Sequence, residues 1–230
     1  MLRSLLFTLT AGIVGSLVAF HVSESAGRAG ILRSYVRGDQ PNLGNVKGIV
    51  DEAVRRMPRC FMEGSRDELS DLARAIMVAE VFATSSVHQW LKRAYVRAAS
   101  EAGYDKIDWS MGPARIRPST AASTIATAFT AEAAFYRGLT REQLTGKLFC
   151  ACHARKIAVV ILQVMHARYG LSNRIDLLFI RQAAREYGGK AQRFRSAESE
   201  ISAAVYFKVV YDSFLHFRFQ RLSEDSPLVM

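Results

Sequence analysis

Apolar residues recur three and four positions apart along most of this chain, which is the spacing of one face of an α-helix. Only five of the 230 residues are prolines, so few positions interrupt such helices. The segment from Asp105 to Arg117 lacks this spacing and predicts a short strand or a loop. The sequence therefore predicts an all-α fold with at most a short β segment. The predicted helices cover about residues 46–57, 66–84, 87–102, 153–169, 172–188 and 199–219, and two more begin near Pro118 and Thr140.

One carboxylate lies on the apolar face of the second predicted helix. Glu80 follows Ile76 by four positions and Met77 by three, so the three side chains share one side of the helix. Burial removes hydration from a carboxyl group and favours its protonated form, which general acid catalysis requires. The alternatives are that the helix carries Glu80 to the rim of the core, or that an arginine pairs with it. Glu80 is the candidate catalytic residue.

The first 25 residues have the pattern of an export signal or a membrane anchor. Arg3 precedes an apolar stretch at residues 5–22, and small residues suited to signal peptidase follow at 23–26. The apolar stretch approaches the length that spans a bilayer, so an uncleaved anchor is the alternative to a cleaved signal. In either case we expect the rest of the chain outside the cytoplasm, secreted or periplasmic. Residues 26–60 are predicted as a linker followed by a short helix.

The chain is strongly basic, with a formal net charge of +10 and an isoelectric point near 9.8. This charge favours acidic surroundings: peptidoglycan with its peptide carboxylates, anionic lipid head groups or nucleic acid. Nucleic acid is disfavoured because the lysines and arginines are scattered and no nucleic-acid-binding motif appears. Peptidoglycan, a membrane surface or envelope machinery remain as the expected partners.

Three cysteines, Cys60, Cys150 and Cys152, would meet an oxidising compartment. Cys150 and Cys152 are too close in sequence for an easy bridge to each other, whereas Cys60 could bridge to either one. The alternative is that all three are small buried residues. A structural zinc site needs four ligands at suitable spacing, and the segment Cys150 to His153 has no second pair of ligands elsewhere. We therefore expect neither a metal nor a cofactor.

A segment that begins thirty residues after Glu80 resembles a motif of the lytic transglycosylases and goose-type lysozymes. That motif reads GLMQ(I/V)xPST(A), and the ungapped matches here are Gly112, Ile116, Pro118, Ser119, Thr120 and Ala121. In that superfamily the catalytic glutamate ends an upstream helix, which is where Glu80 lies. Further similarities follow in the family's order at 139–144, 168–170, 184–189 and 206–210. The resemblance implies a lysozyme-like domain at residues 61–222, followed by a tail at 223–230.

The resemblance also implies roles for four residues of a sugar-binding cleft. Ser110 is expected to donate a hydrogen bond to the muramyl group, and Gly112 to let sugar approach the backbone closely. Arg115 replaces the family's glutamine and either contacts a substrate carboxylate or pairs with Glu80. Tyr187 resembles the family tyrosine near the glutamate; its alternative role is that of a core aromatic. The chain is a divergent member, with other departures at Val81, Pro113, Ala114 and Gly188.

The interval between Glu80 and Gly112 is longer than in the common enzymes of this superfamily. It is predicted to hold an extra helix that carries Trp90, Leu91 and Tyr95. We expect this apolar stripe in the core, with the wall of the sugar cleft as the alternative.

The activity that the resemblance implies is cleavage of the β-1,4 bond between N-acetylmuramic acid and N-acetylglucosamine, with Glu80 protonating the glycosidic oxygen. In a lytic transglycosylase the same glutamate then takes a proton from the muramyl 6-hydroxyl, and a 1,6-anhydro product forms. In a muramidase, water attacks with help from a second carboxylate, for which Asp105 and Asp108 are the candidates. Both fit solvated loop positions, so we expect the transglycosylase. The further alternatives are a non-catalytic glycan-binding protein and a membrane-associated assembly protein.

Overall fold

The computed structural model describes residues 16, 43–63, 67–83, 86–98, 107–169, 175–187 and 197–225. Within these ranges the chain forms nine α-helices and no β-strand, which confirms the all-α prediction. The helices are α1 (Leu43–Arg55), α2 (Glu68–Ala83), α3 (Ser86–Ala98), α4 (Pro118–Thr127), α5 (Ala131–Arg137), α6 (Arg141–Leu148), α7 (Ala151–Tyr169), α8 (Leu177–Tyr187) and α9 (Ala197–Asp225), with a 3₁₀ turn at Arg59–Phe61. Apart from residue 16, the predicted signal or anchor lies outside the described residues.

The helix α2 is the buried centre of the domain. Every side chain from Ser70 to Glu80 is buried, and the helix packs against α1, α7 and α9. Large apolar side chains such as Leu72 and Ile76 fill the space between these helices. Full burial of such a side chain stabilises the fold by roughly 1.5–3 kcal/mol. The carboxyl group of Glu80 therefore sits in a well-packed environment.

The helix α7 is the second buried element, as its apolar sequence predicts. Its side chains from Ile157 to Leu162 are buried, and it packs against α2, α4 and α6. A disulfide between Cys60 and Cys152 joins the 3₁₀ turn to the first residues of α7. Among the described helices, none is by itself long and apolar enough to cross a membrane; α6 and α7 reach that length and composition only as a pair, across a bend of 105°.

The helix α9 is longer than the sequence predicts and ends at Asp225, inside the predicted tail. Ion pairs to α2 hold its last turns: Arg218 Nη2 lies 3.1 Å from Glu68 Oε1, and Arg221 Nε lies 2.8 Å from Asp71 Oδ2. Asp71 is fully buried and also pairs with Arg74. These charged contacts extend the helix beyond its apolar stripe, and the apolar pattern alone could not reveal them.

Two elements differ from the sequence prediction. The inserted helix α3 was expected to bury its aromatic stripe, but Trp90 and Tyr95 are 57% and 55% exposed. The short helix α5 was not predicted at all. In both helices an exposed aromatic side chain obscures the buried face. Among the α3 side chains that the structure describes, Val96 is the buried one; in α5, Phe135 is exposed while Ala133 and Tyr136 are buried.

Candidate functional site

Glu80 lies near the end of α2 and is only 2% exposed, which confirms that it is buried. The hydroxyl of Tyr206, on α9, donates a hydrogen bond to its Oε1 at 2.7 Å. The Nε of Arg115 lies 3.6 Å from its Oε2. Of the two roles expected for Arg115, the structure therefore contains the ion pair with Glu80.

Arg115 reaches Glu80 from a tight hairpin between α3 and α4. Met111 and Ile116 exchange backbone hydrogen bonds at 2.9 and 3.2 Å, and the N–H of Arg115 donates to the carbonyl of Gly112 at 3.1 Å. Gly112 has φ 65° and Arg115 has φ 50°, so both adopt the left-handed conformation. That conformation costs a non-glycine residue roughly 1–2 kcal/mol. The predicted "short strand or loop" is thus a loop with one isolated β-bridge, and its strained residue is the one that meets Glu80.

A cavity of about 430 Å³ reaches Glu80, a volume in the range of small-molecule sites. We call it the Glu80 cavity. Glu80 is the one carboxylate among the described residues that line it. Two arginines and two aromatic rings also line it. The lining residues come from five segments: Arg56–Pro58, Glu80 and Val81, Trp90 and Arg93, Gly112 and Pro113, and Phe149–Ala151, which leads into α7.

Two tyrosines surround Glu80 on the side of the core. Burial raises the pKa of Tyr206 and of Tyr187 well above the usual value, and the negative charge of Glu80 raises both further. Both hydroxyls therefore keep their protons at neutral pH and remain donors. The hydroxyl of Tyr187 is buried and has no hydrogen-bond partner within the described part of the chain. The structure thus brings Tyr187 near Glu80, although it does not line the Glu80 cavity.

Gly112 and Ser110 have backbone roles in the structure. A Cβ on Gly112 would stand 1.7 Å from the carbonyl oxygen of Leu148, so this glycine allows the hairpin to pack onto the end of α6. The carbonyl of Ser110 accepts a hydrogen bond from Lys92 Nζ at 2.8 Å. Burial lowers the pKa of Lys92, and the charge of Arg115 lowers it further. Gly112 lines the Glu80 cavity and Ser110 does not.

The carboxylate of Asp108 binds the first turn of α4. It accepts hydrogen bonds from the backbone N–H of Ser119 at 2.9 Å and from the Ser119 hydroxyl at 2.7 Å, in the first turn of α4. Burial raises the pKa of Asp108, but these bonds and the charges of Arg141 and Arg117 outweigh burial, so the pKa is lower than usual. Asp105, the other candidate for a second carboxylate, lies outside the described residues.

Several residues of the site were not predicted from the sequence. Tyr206 precedes the apolar residues Val209 and Val210 by three and four positions, so its place on the buried face of α9 could have been found. Arg56 and Arg93 carry no such signal, because charged residues on helix surfaces are common. Only the fold brings these two arginines to the Glu80 cavity.

The cysteine pairing is settled by the fold. Cys60 pairs with Cys152, and Cys150 is a free thiol that lines the Glu80 cavity. No group of three or more His, Cys, Asp or Glu side chains that could hold a metal ion occurs among the residues that the structure describes.

No protein-family model, no curated protein and no solved structure matches this chain. A buried carboxyl group at a cavity can give a proton to a bound oxygen and later take one back. The Tyr206 bond occupies Oε1, so such a transfer would use Oε2, the oxygen that Arg115 approaches to 3.6 Å.

Proposed function

We propose that this chain cleaves peptidoglycan as a lytic transglycosylase, with Glu80 as its single general acid and base. One observation carries the proposal. Glu80 is a buried carboxyl group at the Glu80 cavity, and no second carboxylate occurs among the described residues that line that cavity. The resemblance of the segment around Gly112 to the lytic transglycosylase motif implies the substrate, the β-1,4 bond between N-acetylmuramic acid and N-acetylglucosamine.

The proposed reaction has two proton transfers. Protonated Glu80 gives its proton to the glycosidic oxygen as the bond from that oxygen to muramyl C1 breaks. The ionised Glu80 then takes the proton of the muramyl 6-hydroxyl, while the oxygen of that hydroxyl bonds to C1. This step forms the 1,6-anhydro ring without water. Tyr206 holds Oε1 throughout, so Oε2 carries both transfers.

The number of carboxylates favours a transglycosylase over a hydrolase. Hydrolytic glycosidases of the common type use two carboxyl groups on either side of the scissile bond. Asp108 is engaged by Ser119 at the start of α4 and does not line the Glu80 cavity. A mechanism with one carboxyl group therefore fits this site better.

A second candidate is a lysozyme-like protein that binds glycan without cutting it. The observation that favours it is the 3.6 Å approach of Arg115 to Glu80, because the guanidinium then pairs with the oxygen that the proposed proton transfers would use. Under either candidate the partner is the glycan strand, and we propose a location outside the cytoplasm, with residues 5–22 as signal or anchor.

Digestion of purified peptidoglycan by the full-length chain, followed by mass spectrometry of the products, tests the proposal. The matched variant is Glu80→Gln, which keeps an oxygen that can accept from Tyr206 but cannot give up a proton. We expect 1,6-anhydro muropeptides from the wild type and none from Glu80→Gln. Equal thermal unfolding of the two proteins would show that the variant is folded.

The other outcomes are equally informative. Products with reducing ends, again from the wild type alone, would replace the transglycosylase with a hydrolase. Binding to sacculi without any products would favour the glycan-binding candidate. Equal product yields from the wild type and Glu80→Gln would exclude Glu80 as the acid.

A further inference from the structure

A second cavity of about 540 Å³ adjoins the Glu80 cavity along α3. The two share three lining residues, Arg93, Phe149 and Cys150, so the second cavity begins where the first one ends. We call it the side groove. It continues past Arg97 to the first turns of α6, where Glu142 and Gln143 line it.

One face of α3 runs along both cavities. Trp90, Arg93 and Arg97 are spaced by three and four positions, so they project from the same side of this helix. Trp90 lines the Glu80 cavity, Arg97 lines the side groove, and Arg93 lines both. The inserted helix therefore carries an aromatic ring to one end of a continuous depression and a guanidinium to the other.

Arg93 is fixed at the junction between the two cavities. Its Nη2 donates to the carbonyl of Phe149 at 3.0 Å, and its guanidinium lies over the Phe149 ring at 5.4 Å from the centroid. A guanidinium held in this way is already ordered, so binding a ligand would cost it little further conformational entropy. Arg97 adds a second positive charge to the side groove, and Glu142 adds one negative charge beyond them.

We propose that the side groove binds the acidic peptide that branches from the muramyl sugar of peptidoglycan. This inference rests on the proposed function, because it requires the muramyl sugar to lie in the Glu80 cavity. The peptide is attached, through the lactyl group, to the same sugar whose C1 bond Glu80 would cleave, so it must leave through an opening that adjoins the cavity. Arg93 and Arg97 match its carboxylates, and Glu142 matches the amino group of a diamino acid within it.

Titration of the full-length chain with a synthetic stem tetrapeptide, which carries carboxylates and one side-chain amine, tests the proposal by calorimetry. The variant is Arg97→Ala. The matched control is Arg185→Ala, which also removes an exposed arginine from the last turn of a helix, here α8. We expect Arg97→Ala to raise Kd about tenfold, the usual effect of losing one charge-assisted contact. Arg185→Ala should bind like the wild type.

A second peptide with amidated carboxylates completes a double-mutant cycle. Amidation should weaken binding to the wild type about as much as Arg97→Ala does, and should have little further effect on that variant. Equal affinity of the wild type and Arg97→Ala, or no binding of the acidic peptide at millimolar concentration, would overturn the side-groove proposal.

Failure of this inference can be told apart from failure of the proposed function, because peptide binding requires no cleavage. Tetrapeptide binding that depends on Arg97, in a protein that releases no muropeptides, would refute the catalytic function and retain the peptide site. Equal cleavage of intact strands and of strands stripped of peptides, without tetrapeptide binding, would refute the peptide site alone.

Discussion

At the scale of single residues, Glu80 depends on a hydroxyl from the far end of the chain. The Tyr206 bond to Oε1 is a contact between two buried groups, 126 positions apart. A buried carboxyl group that loses such a partner keeps the full cost of its lost hydration. Tyr206 therefore contributes to the stability of the fold and to the orientation of the proposed acid.

Tyr206→Phe removes this hydrogen bond and leaves the ring in place. We expect the free energy of unfolding to fall by about 1–3 kcal/mol, because one oxygen of Glu80 loses its donor. If Glu80 is the acid, kcat should fall roughly tenfold to a hundredfold with little change in KM, because Tyr206 acts through Glu80 and does not line the cavity. Urea unfolding and muropeptide release measure the two effects.

Tyr211→Phe is the control for that variant, since it makes the same change on the same helix, at a ring that stacks on Phe207. It should change the free energy of unfolding and kcat little. Equal effects of the two substitutions would mean that the Tyr206 hydroxyl has no special role.

Gly112→Ala tests the close approach of the hairpin to α6. The added Cβ would stand 1.7 Å from the carbonyl oxygen of Leu148, and alanine disfavours the observed φ of 65°. We expect a loss of more than about 2 kcal/mol in the free energy of unfolding. Gly48→Ala is the control, because that glycine lies inside α1 with open space around it, and alanine there should stabilise by about 0.5–1 kcal/mol.

At the scale of elements, Asp108 ties the loop before the hairpin to the first turn of α4. In the unfolded chain its pKa is near 3.8, and in the folded protein the pKa is lower. The ionised Asp108 therefore contributes stability that is fully present above pH 3.8 and is lost as the pH falls through the folded value. We expect wild type to melt above Asp108→Asn at pH 6, and the gap in Tm to shrink towards pH 3. A gap that is constant with pH would contradict this assignment.

The elements that the sequence predicts well are those whose burial follows local spacing. The ends of α2 were predicted within two residues, and α4 begins at Pro118 as expected, because proline suits the first turn of a helix. The helix predicted to begin near Thr140 is α6, and Thr140 and Gln143 form a capping box at its start. By contrast, α5 is seven residues long and leaves Phe135 exposed, so neither length nor apolar pattern identifies it.

The same distinction applies to the candidate site. Glu80 could be found because its neighbours at three and four positions already define a buried face. Arg56, Arg93 and Trp90 come together at the Glu80 cavity from separate helices and loops, and only tertiary packing decides that. The ion pair between Arg115 and Glu80 depends on a left-handed backbone conformation at Arg115, which cannot be predicted from the residue type.

At the scale of the whole molecule, the bridge between Cys60 and Cys152 closes a loop of 92 positions. It joins the 3₁₀ turn beside α1 to the start of the buried helix α7. A cross-link of this span removes many conformations from the unfolded chain, so its effect is on the stability of the entire domain.

Replacing both cysteines of the bridge by serine should lower the free energy of unfolding by about 2–4 kcal/mol. Reductant should destabilise the wild type by a similar amount and leave the double variant unchanged, as measured by urea unfolding. Cys150→Ser should stay within about 0.5 kcal/mol of wild type, because that thiol is unpaired and only partly buried. A large loss from Cys150→Ser alone would point to a different pairing.

The partners that α2 takes from α9 also govern the order in which this protein can fold during its synthesis. Tyr206 and Arg221 follow Glu80 and Asp71 by 126 and 150 positions. A nascent chain that ends before α9 has neither the hydroxyl for Glu80 nor the second arginine for Asp71. Dehydrating those two carboxylates is then unfavourable, so we expect α2 to stay hydrated until α9 has been synthesised. We therefore expect folding to be late and global, and shorter nascent chains to depend on chaperones.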